Sequence, residues 1–138
     1  MDRTPIRALM QTKFVTVSVH DKLSTVEDIM RMGRVRHMPV VRGGALVGVV
    51  SERDVLRASL SQLAIHAPEA RRAFLDGVEI GEVMSSPPVV AGPDTPVGEA
   101  ALAMAEAKIG CLPVVDGDEL VGFLTATDLL RHFGSSSA

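Results

Sequence analysis

The chain has no tryptophan, no tyrosine, four phenylalanines and a single cysteine. With aromatics at 3% and hydrophobic residues at 46%, a core has to be assembled from Val, Leu, Ile, Ala and Met. Cys111 has no second thiol to pair with, so no internal disulfide ties the protein to an oxidising compartment. Runs of lysine or arginine are missing too. With a net charge of −3 and a pI near 5.8, the chain lacks the basic stripe of a nucleic-acid binder. Apolar runs such as Ala45 to Val50 fall far short of the ~20 residues that span a bilayer. The charged start, MDRTPIRALM, lacks the apolar core of a signal peptide. A cytoplasmic protein is expected, with neither nucleic acid nor membrane as partner.

What is present is a duplication. Gly48 to Arg57, GVVSERDVLR, returns as Gly122 to Arg131, GFLTATDLLR, an offset of 74 residues (122 − 48). The same offset carries Met10 onto Met84, Val15 onto Val89, Met30 onto Met104 and Pro39-Val40-Val41 onto Pro113-Val114-Val115. Halves of about sixty residues are marginal alone, so the two copies are expected to share one domain's worth of core.

Each copy reads as strand, helix, hairpin, helix. A short lead-in, Pro5 to Met10 or Ile80 to Met84, precedes a β-rich run at Phe14–Val17 or Pro88–Val90. Leu23, Val26, Met30 and Gly33 then share one helical face, as do Val97, Ala100, Met104 and Ala107. Thr95 followed by Pro96 reads as an N-cap with proline at the first helical position. Arg42-Gly43-Gly44 and Asp116-Gly117-Asp118 mark hairpins, and the unalternating Leu46 to Val50 suggests a strand covered on both faces. The expected organisation is a first repeat over 1–59, a helical connector over 60–79 in which Leu60, Leu63 and Ile65 prolong one helix and Pro68 starts another, a second repeat over 80–133, and a frayed tail over 134–138.

The residues with chemistry are Ser51-x-x-Asp54 and Thr125-x-x-Asp128. Either pair is by itself a capping box, in which hydroxyl and carboxylate satisfy the first amides of a helix. The same corner also suits a nucleoside phosphate: helix amides attract phosphate, and two carboxylate oxygens accept a vicinal diol. The glycine upstream, Gly48 or Gly122, would leave room for the ligand.

The doubled Gly-h-h-[Ser/Thr]-x-x-Asp segment (h, apolar), the h-Pro-Val-Val strands at Met38–Val41 and Leu112–Val115 and the β-α-β-β-α order together resemble the cystathionine-β-synthase (CBS) domain, found as tandem pairs called Bateman modules. The resemblance covers Ile6 to Phe133. It implies an α/β (α+β) fold of two pseudo-twofold-related repeats whose clefts bind AMP, ADP, ATP or S-adenosylmethionine, with no obligatory cofactor. By position it implies that Asp54 and Asp128 accept ribose hydroxyls, and that Ser51 and Thr125 meet ribose or phosphate. Thr12, Val15, Ser86 and Val89 fall where the family contacts adenine, and Arg36, His37, Gly110 and Cys111 where it touches phosphate. Arg36, His37 and Arg53 are cationic donors opposite neutral Gly110, Cys111 and Thr127, so the first copy is expected to favour more phosphates. The family further implies a homodimer and an effector protein downstream.

Other candidates have bland explanations. His20, His37, His66 and His132 lack metal-ligand spacing, and Cys111 beside an apolar strand reads as a buried thiol. Met30, Met32 and Met104 read as core, and Arg57 and Arg131 as helix-closing cations. No nucleophile with its base and no P-loop is legible, so catalysis is not expected. A structural oligomerisation module whose aspartates only cap helices is the other reading.

Overall fold

Leu23, Val26 and Met30, spaced to share one helical face, are buried along α1 (Leu23–Gly33) in the computed structural model, which describes residues 1–63 and 68–136. Their counterparts Val97, Ala100 and Met104 are buried along α4 (Val97–Ala107). Gly33 and Ala107 complete neither stripe, because both helices end there: Arg34 and Lys108 follow at φ 54° and 56°, left-handed positions that stop the helix. Met32 points away from the core and is 84% exposed, contrary to its expected burial. Thr95 does not cap α4; its hydroxyl accepts the Gly92 N–H at 3.1 Å, as Asp21 Oδ2 accepts Ser18 N–H at 2.8 Å one repeat earlier.

Each helix is followed by an antiparallel hairpin. β2 (His37–Arg42) pairs with β3 (Ala45–Ser51), and β4 (Cys111–Asp116) with β5 (Glu119–Thr125), in equivalent registers broken by equivalent bulges at Val40/Val41 and Val114/Val115. The first β-rich run yields a two-residue strand, β1 (Val17–Ser18), parallel to β2. In the second copy Pro88–Val90 forms no strand, and a single parallel bridge joins Ala91 to Val114. On β3, Gly48 and Val50 are buried while Val47 and Val49 are half-buried, so one face is closed and the other partly covered.

The chain does not fold repeat by repeat. Val15–Pro88 forms one compact unit, and Met1–Phe14 with Val89–Ala138 forms the other. Each repeat thus contributes its lead-in to the unit of the other repeat. In the first unit Ser85 and Val49 exchange backbone hydrogen bonds of 2.8 and 3.0 Å; in the second Gln11 and Phe123 do so at 2.9 Å each. Ile80 is fully buried beneath the first lead-in exchange and Ile6 beneath the second. At about 1.5–3 kcal/mol each, these side chains anchor the exchanged segments.

The connector belongs to the Val15–Pro88 unit. α2 (Glu52–Leu63) is followed by α3 (Pro68–Gly77), whose Leu75 is fully buried among Val17, Leu23 and Ile80. Arg71 on α3 donates to Glu27 at 2.6 Å and to the buried Ser59 hydroxyl at 3.3 Å, and Arg72 clasps Asp28 at 3.0 and 3.2 Å. In the other unit α5 (Ala126–Ser136) carries helix through Gly134–Ser136, where a frayed tail was expected. Arg57 and Arg131 consequently lie inside α2 and α5, short of the helix ends they were expected to close. Ile65, His66, Ser137 and Ala138 lie outside the described residues. Asp2 accepts Thr4 N–H at 2.9 Å and meets His132 Nε2 at 2.7 Å, contacts that hold its carboxyl at about 2.

Candidate functional site

The corner where β3 enters α2 is built by reciprocal hydrogen bonds. Asp54 Oδ2 accepts Ser51 N–H at 2.8 Å and Ser51 Oγ–H at 3.0 Å, and Ser51 Oγ accepts Asp54 N–H at 3.1 Å. Where β5 enters α5, Asp128 Oδ2 accepts Thr125 N–H at 2.8 Å and Oγ1–H at 2.9 Å, and Thr125 Oγ1 accepts Asp128 N–H at 3.3 Å. The capping function is therefore real in both units, and it consumes one oxygen of each carboxylate. Among the described residues no hydrogen bond reaches Asp54 Oδ1, and Asp54 is half-buried at the start of its helix.

The segment after each lead-in pairs with the strand that enters the corner. Ser85 is bridged to Val49 on β3, and the next residue, Ser86, donates its hydroxyl to Val47 O at 2.9 Å. Gln11 is bridged to Phe123 on β5, and Phe14 lies tilted against the buried Phe123 ring at 6.1 Å. The exchange of lead-ins decides which expected residues share a unit. Ser86 and Val15 fall in one unit with Asp54, Ser51, Arg36, His37 and Arg53; Thr12 and Val89 fall in the other with Asp128, Thr125, Gly110 and Cys111. Thr12 and Val15, neighbours in sequence, belong to different units, and so do Ser86 and Val89. Thr12, Val15, Ser86 and Val89 are all exposed.

Two expectations change. Gly48 and Gly122 do not leave room for a ligand: a Cβ on Gly48 would fall 2.7 Å from Met84 Sδ and 2.8 Å from Ser85 O, and one on Gly122 would collide with Met10 Sδ. The missing side chain admits the lead-in methionine. Burial pushes the His37 pKa below 6.5, with Arg36 adding to the effect against the opposing pull of Asp54 and Glu52, which favours the neutral ring over a cation beside Arg36 and Arg53.

The phosphate positions are otherwise unequal, as the residue types required. Arg36 and Arg53 are exposed at the Asp54 corner, and the Arg36 carbonyl accepts Glu52 N–H at 2.8 Å. At the other corner Gly110 has no side chain, its carbonyl accepts Ala126 N–H at 2.9 Å, and Cys111 is buried in β4 opposite Thr125. A buried Cys111 side chain has no free face for a ligand, so that position is left with backbone contacts. The Val15–Pro88 unit carries nine Lys/Arg and nine Asp/Glu (9 − 9 = 0), whereas the other carries five and eight (5 − 8 = −3).

Gln11 was not recognised from sequence. Its Nε2 donates to Asp128 Oδ2 at 3.2 Å and approaches Oδ1 at 3.4 Å. The lead-in is 117 residues from Asp128 in the chain, so no local spacing signals the pair. The repeated Met10/Gly122 and Met84/Gly48 pairs were visible as recurring residues but not as contacts. Among the described residues no three His, Cys, Asp or Glu side chains gather as a metal site, and no helix is long and apolar enough to cross a membrane.

The sequence profile of the CBS domain matches residues 6–61 and again residues 80–135. The CBS domain-containing protein YhcV of Bacillus subtilis is 30% identical over 125 residues, covering 90% of this chain and 81% of that protein. An inosine-5'-monophosphate dehydrogenase of Korarchaeum cryptofilum is 33% identical over 116 residues, 83% of this chain; the chain spans 21% of that enzyme's length. Among solved structures, the CBS domain pair of protein MJ0100 in complex with 5'-methylthioadenosine and S-adenosyl-L-methionine has a TM-score of 0.81 at 26% identity, covering 96% of this chain and 98% of that one. CBSX2 in complex with AMP has a TM-score of 0.79 at 25% identity, covering 97% and 98%.

Proposed function

The chain belongs to the CBS-domain family, and from that premise we propose that it is a regulatory module that binds an adenosyl compound at its strand-to-helix corners and passes the change to a partner. The observation that carries this reading is Asp54: its Oδ2 is used in capping, while among the described residues no hydrogen bond reaches Oδ1, which leaves that oxygen's lone pairs to accept ribose hydroxyls. The adenosyl ligands of MJ0100 and CBSX2, both of which match over nearly their whole length, support it. Arg36, Arg53 and the charge balance of the Val15–Pro88 unit favour a phosphate-bearing ligand there. The other unit, with its net negative charge and neutral Gly110, Cys111 and Thr127, suits an uncharged or cationic adenosyl compound.

The module acts as a homodimer in this reading, because Leu56 and Leu60 on α2 and Leu130 on α5 stand at least half exposed. The completed capping boxes favour a second reading, a purely structural module. Thermal unfolding with AMP, ATP, S-adenosylmethionine and adenosine separates the two, since a ligand of the folded state raises the melting temperature by mass action. Stabilisation by AMP or ATP that weakens in Arg53→Ala is expected; flat curves with every compound leave the structural module.

A further inference from the structure

Both corners carry the same reciprocal capping bonds, but beside them Gln11 stands at one and Ser85 at the other. These residues occupy the same repeat position, and each is pinned by paired backbone hydrogen bonds to the equivalent strand residue, Phe123 or Val49. Their side chains therefore leave from equivalent points, and the glutamine is long enough to cross to the carboxylate where the serine is not. Asp128 Oδ2 accepts three donors, from Thr125 N, Thr125 Oγ1 and Gln11 Nε2, and Gln11 also approaches Oδ1. Asp54 Oδ2 accepts two, both from Ser51.

We infer that Gln11 is a specificity-determining residue: its carboxamide occupies the face of Asp128 that a vicinal diol would use, so the Asp128 unit discriminates against ribose hydroxyls that the Asp54 unit accepts. The inference rests on the adenosyl-binding reading and assigns the two corners different preferences within it. A carboxylate offers about four lone-pair positions, and capping with the Gln11 amide takes three or more of them at Asp128. A diol bringing two donors must displace the amide there. At Asp54 it displaces nothing. Gln11 is exposed, so displacement costs little more than the amide-carboxylate hydrogen bond itself, and the discrimination is correspondingly modest.

Adenosine and 2',3'-dideoxyadenosine, which lacks the vicinal diol and keeps the 5'-hydroxyl, test this on the intact chain. Backbone amide signals of Gly122 and Thr125 report one corner by NMR titration, and those of Gly48 and Ser51 the other. Gln11→Ser is expected to tighten adenosine at the Gly122/Thr125 corner about three- to tenfold, and Ser85→Gln to weaken it at the Gly48/Ser51 corner by a similar factor. Dideoxyadenosine affinity stays unchanged in both variants. Gln11→Asn, one methylene shorter, behaves as Gln11→Ser. Unchanged adenosine affinity in Gln11→Ser, or an equal gain for dideoxyadenosine, overturns the inference. Silence of both corners toward adenosine in the parent protein removes the adenosyl-binding reading itself, and the inference with it.

Discussion

Met84 lies where a side chain on Gly48 would have to go, and Met10 holds the same place against Gly122. Adding a methyl to Gly48 is expected to cost about 1–3 kcal/mol, because the exchanged lead-in must move outward to admit it. Combining Gly48→Ala with Met84→Ala returns part of that loss, seen as an interaction term of at least about 0.5 kcal/mol in a double-mutant cycle by urea unfolding. Recovery is incomplete because Ser85 O also stands 2.8 Å from the new carbon. Strict additivity would show that the glycine is not kept small by the methionine.

Ser51 and Thr125 cap their helices whether or not a ligand is bound. Ser51→Ala and Thr125→Ala are each expected to lower the unfolding free energy by about 1 kcal/mol without nucleotide, while Thr125→Ser stays close to the parent. Chemical denaturation with no ligand present is the measurement. A neutral outcome for both alanines would mean that the reciprocal bonds with Asp54 and Asp128 contribute nothing to folding.

His37 makes stability depend on pH with a definite sign. Its folded pKa lies below the unfolded 6.5, so between those two values the unfolded chain binds more protons and stability rises with pH. Acidification from neutral pH to about 5 therefore destabilises the parent protein more than His37→Gln, with the difference accumulating below 6.5. Parallel melting curves of the two proteins across that range would contradict the burial-driven shift.

Arg34 and Lys108 close α1 and α4 with φ of 54° and 56°, where a Cβ is unfavourable. Replacing either by glycine is expected to raise stability by about 0.5–1 kcal/mol, the relief of the left-handed strain being partly offset by the freer unfolded chain. Both are exposed, so little else changes. A lower urea midpoint in both variants would place another role on those side chains.

The repeat was legible because residue identity recurs at one offset, and hairpins, helical stripes and the capping pairs followed from it. Burial of Leu23, Val26 and Met30 needed only periodicity. Met32 was misread because methionine is apolar wherever it stands, and only its direction from the helix, known once α1 has its partners, puts it in solvent. Thr95 has the right type for an N-cap, yet its hydroxyl turns back to Gly92, since the chain enters α4 from a tight turn that needs that amide satisfied.

From the amino acids alone come the duplication, the strand-to-helix corners and the two aspartates that each must carry, since these depend on local spacing and on side-chain chemistry. Which lead-in serves which corner was settled by tertiary structure: Ser85 pairs with Val49 and Gln11 with Phe123, partners distant in the chain and joined through backbone groups that every residue type shares. Sequence is silent on such bonds, and so it could not reveal that Gln11 reaches Asp128 or that Met84 fills the space beside Gly48.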